Sequence, residues 1–167
     1  MVTGARALIV AFLAIFCVRQ ARAISAFGVS CLAEHNKYRE RHGAPPLVWD
    51  GTLEAHAKAW AKKLSSGRLP PGVFHDMRSR EGENIAIISE PTCEEALSMW
   101  MDEFIDYKDE GYCANPPRLP PYHLMHFTQV TWKATRRLGV AVSGNWLVAR
   151  YSPSGNWGGQ FGRNVEC

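Results

Sequence analysis

The chain has 167 residues, 19 Lys+Arg against 16 Asp+Glu, and a formal net charge of +3; that length suits one globular domain with a core of its own. The basic excess lies in residues 1–23, which hold Arg6, Arg19 and Arg22 and no acid, so residues 24–167 carry 16 charges of each sign. A nucleic-acid-binding face needs dense basic charge, so nucleic acid is not an expected partner.

Residues 1–23 read as a secretory signal. Arg6 supplies the positive start, residues 7–18 form a 12-residue apolar run, and Ala21-Arg22-Ala23 is an A-x-A cleavage site. A membrane span needs about 20 apolar residues, and Arg19 and Arg22 cut this run short, so no stable membrane insertion is expected. Residues 24–167 then form a single exported domain.

Ser30 is placed to cap a first helix running to about His42, stopped by Gly43 and Pro45-Pro46. Leu53, Ala57, Trp60 and Leu64 make the apolar stripe of a second helix that ends near Gly67. Residues 67–83 read as a loop and 84–88 as a strand. Thr92 and Glu95 form a capping box for a third helix striped by Ala96, Trp100, Phe104 and Tyr107, with Glu103 at the stripe's edge. A second loop, 108–123, is stiffened by Pro116-Pro117 and Pro120-Pro121. A short fourth helix spans 126–134. Residues 139–142, a Ser143-Gly144 turn and residues 145–151 read as a hairpin. Gly155 and Asn156 suit a turn that needs positive φ. Helices that precede and separate the strands, with a hairpin among them, predict a mixed α+β domain and no all-parallel sheet.

Cys17 leaves with the signal, and Cys31, Cys93, Cys113 and Cys167 remain as an even set. An exported chain with four cysteines is expected to form two disulfides, with three possible connectivities. A Cys93–Cys113 bond is the hardest to close. The third helix carries the chain roughly 20 Å away, and only about six residues remain to return it at ~3.5 Å each. Cys113 with Cys167 is the preferred pair. No N-x-Ser/Thr sequon is present, so N-glycosylation is not expected.

The residues with chemistry to offer are scattered. His75, Glu83, Glu103 and His126 are separated by 8, 20 and 23 residues, unlike a compact H-E-x-x-H zinc signature. No G-x-S-x-G elbow occurs, and Ser154-Gly155 reads as part of a turn. No catalytic residue is assigned.

What draws the four together is a resemblance. His126-Phe127-Thr128-Gln129 with Trp132, and Tyr151 through Trp157, resemble the two signature motifs of the CAP superfamily, which holds cysteine-rich secretory proteins, antigen-five allergens and pathogenesis-related group 1 proteins. Gly82-Glu83-Asn84 resembles the family's G-E-N element, Trp100 with Glu103 its W-x-x-E, and His75 stands at the loop position of its first histidine. His35-Asn36 with Arg39 resembles the first-helix H-N-x-x-R, whose plain reading is helix docking. The resemblance implies a three-layer α-β-α sandwich over about residues 31 to 160. It also implies one cleft holding His75, Glu83, Glu103 and His126. Ala149 and Val140 stand where many secreted members carry cysteines, so the common disulfide framework is absent. In this the chain is similar to the Golgi-associated plant pathogenesis-related members, though it carries a signal-like segment that they lack.

Neutral imidazole binds borderline divalent ions and carboxylates support such sites. His75 and His126 are therefore the expected metal ligands. A divalent cation, zinc first, would occupy a partly open site that folding does not require, and mild acid would weaken it. The resemblance implies a secreted, extracellular, non-enzymatic binding module for small lipids or sterols, its loops 67–74 and 108–123 lining an apolar groove. The alternatives are a defence, effector or signalling protein that engages an unknown protein partner, and a metal-dependent hydrolase.

Overall fold

In the computed structural model, which describes residues 24–167, the layering follows from alternation along one strand. The secretory-signal reading of residues 1–23 lies outside the described residues. Strand β4 (Trp146–Ser152) sends Leu147, Ala149 and Tyr151 into one apolar cluster and Val148 into another, as a period of two requires. Helix α2 (Gly51–Ser65) covers the Val148 face with Ala57, Trp60, Ala61 and Leu64. Helices α1 (Ala26–Arg41), α3 (Cys93–Asp109) and α4 (Met125–Thr131) cover the other, bringing Cys31, Ala96, Leu97, Trp100, Phe127 and Val130. The expected three-layer α-β-α sandwich results.

The sheet runs in the order β1 (Val48–Trp49), β3 (Arg137–Ser143), β4, β2 (Gly82–Ile87). β4 pairs antiparallel with both β3 and β2, while β1 joins β3 in parallel. The two residues of β1 are too few to show alternation, so the sequence reading has no counterpart for it. Close approach of α2 depends on Gly139, where an added Cβ would stand 2.1 Å from the Glu54 backbone nitrogen.

Several boundaries differ from the sequence reading. Ser25, not Ser30, caps α1, its Oγ accepting from the Gly28 amide at 3.0 Å. Ser143 pairs with Trp146, so the hairpin turn is Gly144-Asn145. Gly144 supplies the positive φ, 58°, that a tight turn needs at its first central position. Helix α4 stops at Thr131 because Trp132 leaves helical space at ψ 111°. A 3-10 turn (Tyr122–Leu124) and a short helix α5 (Phe161–Asn164) occupy segments that read as irregular. The Thr92 cap forms as expected, Oγ1 accepting from Glu95 N at 3.2 Å, and Asn156 takes a φ of 61°.

Cys31 pairs with Cys93, joining α1 to the start of α3, and Cys113 pairs with Cys167, the preferred bond. Among the described residues no helix is long and apolar enough to cross a membrane.

The H-N-x-x-R element docks α1 through polar bonds. Arg39 is fully buried and donates to the carbonyls of Pro45 (2.8 Å), Val130 (2.7 Å), Trp132 (3.0 Å) and Thr135 (3.0 Å). Asn36 exchanges two bonds with the Leu47 backbone, at 2.7 and 3.1 Å. His35 donates from Nδ1 to the Cys31 carbonyl at 2.7 Å, so Nε2 accepts from the Tyr151 hydroxyl at 2.9 Å. Burial holds His35 down to about 4 and, less strongly, lowers His42.

Replacing Arg39 with Met should cost about 3 kcal/mol or more in urea unfolding, since four carbonyls lose their donor. A loss below about 1 kcal/mol would mean that water substitutes for the guanidinium. Stability should also depend on pH through His35. The unfolded chain takes a proton near 6.5 that the folded chain refuses until about 4. The stabilisation therefore holds above pH 6.5 and fades as pH falls toward 4, by about 3 kcal/mol. His35→Gln, less stable at pH 7, should show a shallower loss between pH 7 and 4.5; an unchanged slope would assign that loss to other groups.

Candidate functional site

Two of the scattered carboxylates reach the same end of the sheet from opposite layers. Glu83 lies on β2 directly across from Arg150 of β4, on the face that α2 covers. Glu103 comes from α3 on the other face and is set by the Trp100 turn, whose indole donates to the Ile85 carbonyl at 3.3 Å. Each carboxylate binds one histidine. His75 Nδ1 meets Glu83 Oε1 at 2.7 Å, and His126 Nδ1 meets Glu103 Oε1 at 2.6 Å. An ionised carboxylate only accepts, so both Nδ1 atoms carry hydrogen and Nε2 is the remaining basic nitrogen on each ring.

The supports of the two pairs differ. Glu103 Oε2 accepts the backbone amides of His126 and Phe127, each at 3.0 Å, and so satisfies exposed donors at the start of α4. The His126 ring lies nearly parallel to Trp100, 6.1 Å away with 12° between planes. Asn84 holds the same residue from the sheet, donating to the His126 carbonyl at 3.1 Å. Glu83 is held by the Asp76 amide (3.2 Å) and by the buried Arg150, whose Nη2 is 2.8 Å from Oε2. That last contact is close without hydrogen-bond alignment, and Arg150 Nε has no partner. Arg150 therefore secures Glu83 chiefly by charge, sharing it with Asp76 at 3.2 Å.

His75, Glu83 and His126 line one cleft of about 240 Å³, together with Asn84, Tyr122, Gln129 and Asn156. Glu103 stands behind His126 and does not line it. Most of the lining residues carry polar side chains, with Met125 and the Tyr122 ring among them. Loop 108–123 contributes Tyr122 to this cleft, while Val73 and Phe74 of loop 67–74 and Leu119 of loop 108–123 are partly exposed.

Tyr122 was assigned no role from sequence. Its hydroxyl donates to His75 Nε2 and its ring meets that imidazole edge-on, 5.8 Å between centroids. Burial, then the charges of Glu83 and Glu103, raise its pKa, so it stays a neutral phenol. Position alone offered one signal: Tyr122 precedes His126 by four residues, one helical turn. Arg150 could have been found only from the β2–β4 register.

The donor set suits a divalent cation in kind. A histidine that binds metal through one nitrogen commonly donates the other N–H to a carboxylate, as both do here. The arrangement is not preassembled, however. Among the described residues no three His, Cys, Asp or Glu side chains stand close enough to hold an ion, and Tyr122 covers one of the two free nitrogens.

Residues 32–151 match the model of the Cysteine-rich secretory protein family, CAP. The human Golgi-associated plant pathogenesis-related protein 1 is 32% identical over 133 residues, covering 75% of this chain and 81% of that protein. Secreted protein PRY1 of Candida albicans is 32% identical over 148 residues, which is 84% of this chain and 32% of the fungal one, so this chain spans about a third of it. Among solved structures, NaASP2 with Zn2+ superposes with a TM-score of 0.56 at 21% identity, covering 87% of this chain and 90% of that one, a likeness of fold.

The two carboxylates should be unequal in stability. Glu83→Gln leaves the buried Arg150 short of a counter-charge and is expected to cost about 2 kcal/mol in urea unfolding. Glu103→Gln keeps an acceptor for the α4 amides and should cost about 1 kcal/mol. Equal losses would show that Arg150 is satisfied by Asp76 alone.

Proposed function

The chain belongs to the cysteine-rich secretory protein family, and from that membership we propose that it is a secreted binding module whose polar cleft takes a divalent cation with modest affinity. The single observation that carries this is the pairing of both Nδ1 atoms with carboxylates, at 2.7 and 2.6 Å. Each ring is oriented by its glutamate, which makes Nε2 the nitrogen that would bind an ion. His75 and His126 would hold the ion, and Glu83 and Glu103 would fix the rings and supply negative charge behind them. Zinc is the ion to test, since imidazole suits it and a structural neighbour was solved with Zn2+. A secreted fungal relative and the two disulfides support an extracellular setting. Among the described residues no serine or cysteine is hydrogen-bonded to either histidine, and binding is the reading tested below.

A second reading has its own observation. Phe74, Met77, Leu119 and Trp157 expose 49, 89, 57 and 58% of their surface. Met77 and Trp157 each adjoin a residue close to the cleft in sequence. These side chains support contact with a small lipid or sterol on the cleft's rim, not in an enclosed groove.

Calorimetric titration of the mature protein with zinc should show one site, weakened at least tenfold in both His75→Ala and His126→Ala. Binding should also be weaker at pH 5.5 than at pH 7.5, because imidazole must be deprotonated to coordinate. Identical affinity in the two variants and the parent would remove the metal reading. Radiolabelled cholesterol or palmitate should bind saturably if the rim serves lipids; no binding at micromolar protein would reject it.

A further inference from the structure

Holding a cation through His75 requires its Nε2, and in the folded chain that atom already has a partner. Nδ1–H is committed to Glu83 at 2.7 Å, which leaves a single lone pair on Nε2, and the Tyr122 hydroxyl donates to it. One lone pair serves a hydrogen bond or a metal, not both. We propose that Tyr122 is a latch on the cleft: it caps His75, and its side chain must swing away before a divalent cation can be held between His75 and His126. The inference rests on the metal-cleft reading above.

The surroundings show which partner moves. His75 is fixed through Glu83, which is itself held by the Asp76 amide at 3.2 Å and by Arg150 at 2.8 Å. Tyr122 is 61% exposed and sits on a single 3-10 turn that follows Pro120-Pro121. Its ring has solvent on one side and the His75 edge on the other, so rotation about its own side-chain torsions is enough to free Nε2. The backbone need not follow. Leu124, two residues on, is fully buried, and the Asn156 amide pins the Met125 carbonyl at 2.8 Å. The latch can open while α4, with His126, stays in place. Tyr122 thus sets the threshold for ion entry without belonging to the ligand set.

Tyr122→Phe removes one exposed hydroxyl and keeps the ring, so the fold should be unaffected; a thermal melt checks this. Zinc titrated calorimetrically should bind about fivefold to tenfold more tightly to Tyr122→Phe than to the parent, the equivalent of one net hydrogen bond. The gain should vanish in the double variant with His75→Ala. Weaker binding in Tyr122→Phe would make the tyrosine a ligand, and unchanged binding would make it a bystander; either overturns the latch. Zinc bound by the parent, lost in His75→Ala and equal in Tyr122→Phe overturns the latch alone, whereas zinc bound by neither parent nor Tyr122→Phe removes the metal cleft and the latch together. A metal-free readout is independent of both. The imidazole nitrogen spectrum of His75 should show Nε2 shifting in Tyr122→Phe while Nδ1 keeps its proton and its hydrogen bond to Glu83; an unmoved Nε2 means that no latch forms.

Discussion

A buried guanidinium holds this fold in register. Arg39 reaches out of α1 to four carbonyls spread over the Pro45 turn, the end of α4 and the connection into β3. Those carbonyls are what a helix end and an irregular connection would otherwise leave unsatisfied away from water. Burial lowers the Arg39 pKa to about 10, which still leaves it charged at neutral pH. One side chain therefore converts three awkward backbone ends into a single joint. The position of α4, and with it His126, follows from that joint.

The cleft repeats one local device on two different supports. A carboxylate takes the Nδ1 proton of each histidine, once from a strand and once from a helix. The strand version is stabilised by an arginine from the neighbouring strand, the helix version by backbone amides at the start of α4. Because the two carboxylates come from opposite faces of the sheet, they approach the cleft without sharing a partner. The result is a hollow lined largely by polar residues, His75 and His126 among them.

The core leaves no place for a further disulfide between the central strands. Val140 and Ala149 face each other across β3 and β4 in the larger core cluster, both almost fully buried. A bond between strands already paired by their ladder would close little additional chain. The two disulfides that form instead tie α1 to α3 and the turn after α3 to the last residue, closing separations of 62 and 54 residues. Longer loops constrain the unfolded chain more.

Much of the architecture was legible in residue order. The stripe of Leu53, Ala57, Trp60 and Leu64, the Thr92 cap and the β3–β4 hairpin are local facts of period and hydrogen bonding, and local facts survive folding. Even there, Ser25 displaced Ser30 as the α1 cap, and the hairpin turn moved by one residue. Several serines and glycines could serve, and neighbouring packing chose among them. Motif resemblance joined His75, Glu83, Glu103 and His126, which no spacing would have linked. The sequence by itself thus determined the main helices and strands and their core faces, and motif resemblance singled out four residues, of which His75, Glu83 and His126 line the cleft and Glu103 stands behind it. Only the tertiary structure decided that Glu83 meets Arg150, that Glu103 caps the helix carrying His126, and that Tyr122 sits on the nitrogen His75 would offer a ligand. Those contacts join residues from 23 to 67 positions apart, and the register of β2 on β4 and the docking of α4 set them, neither of which is written in any local pattern.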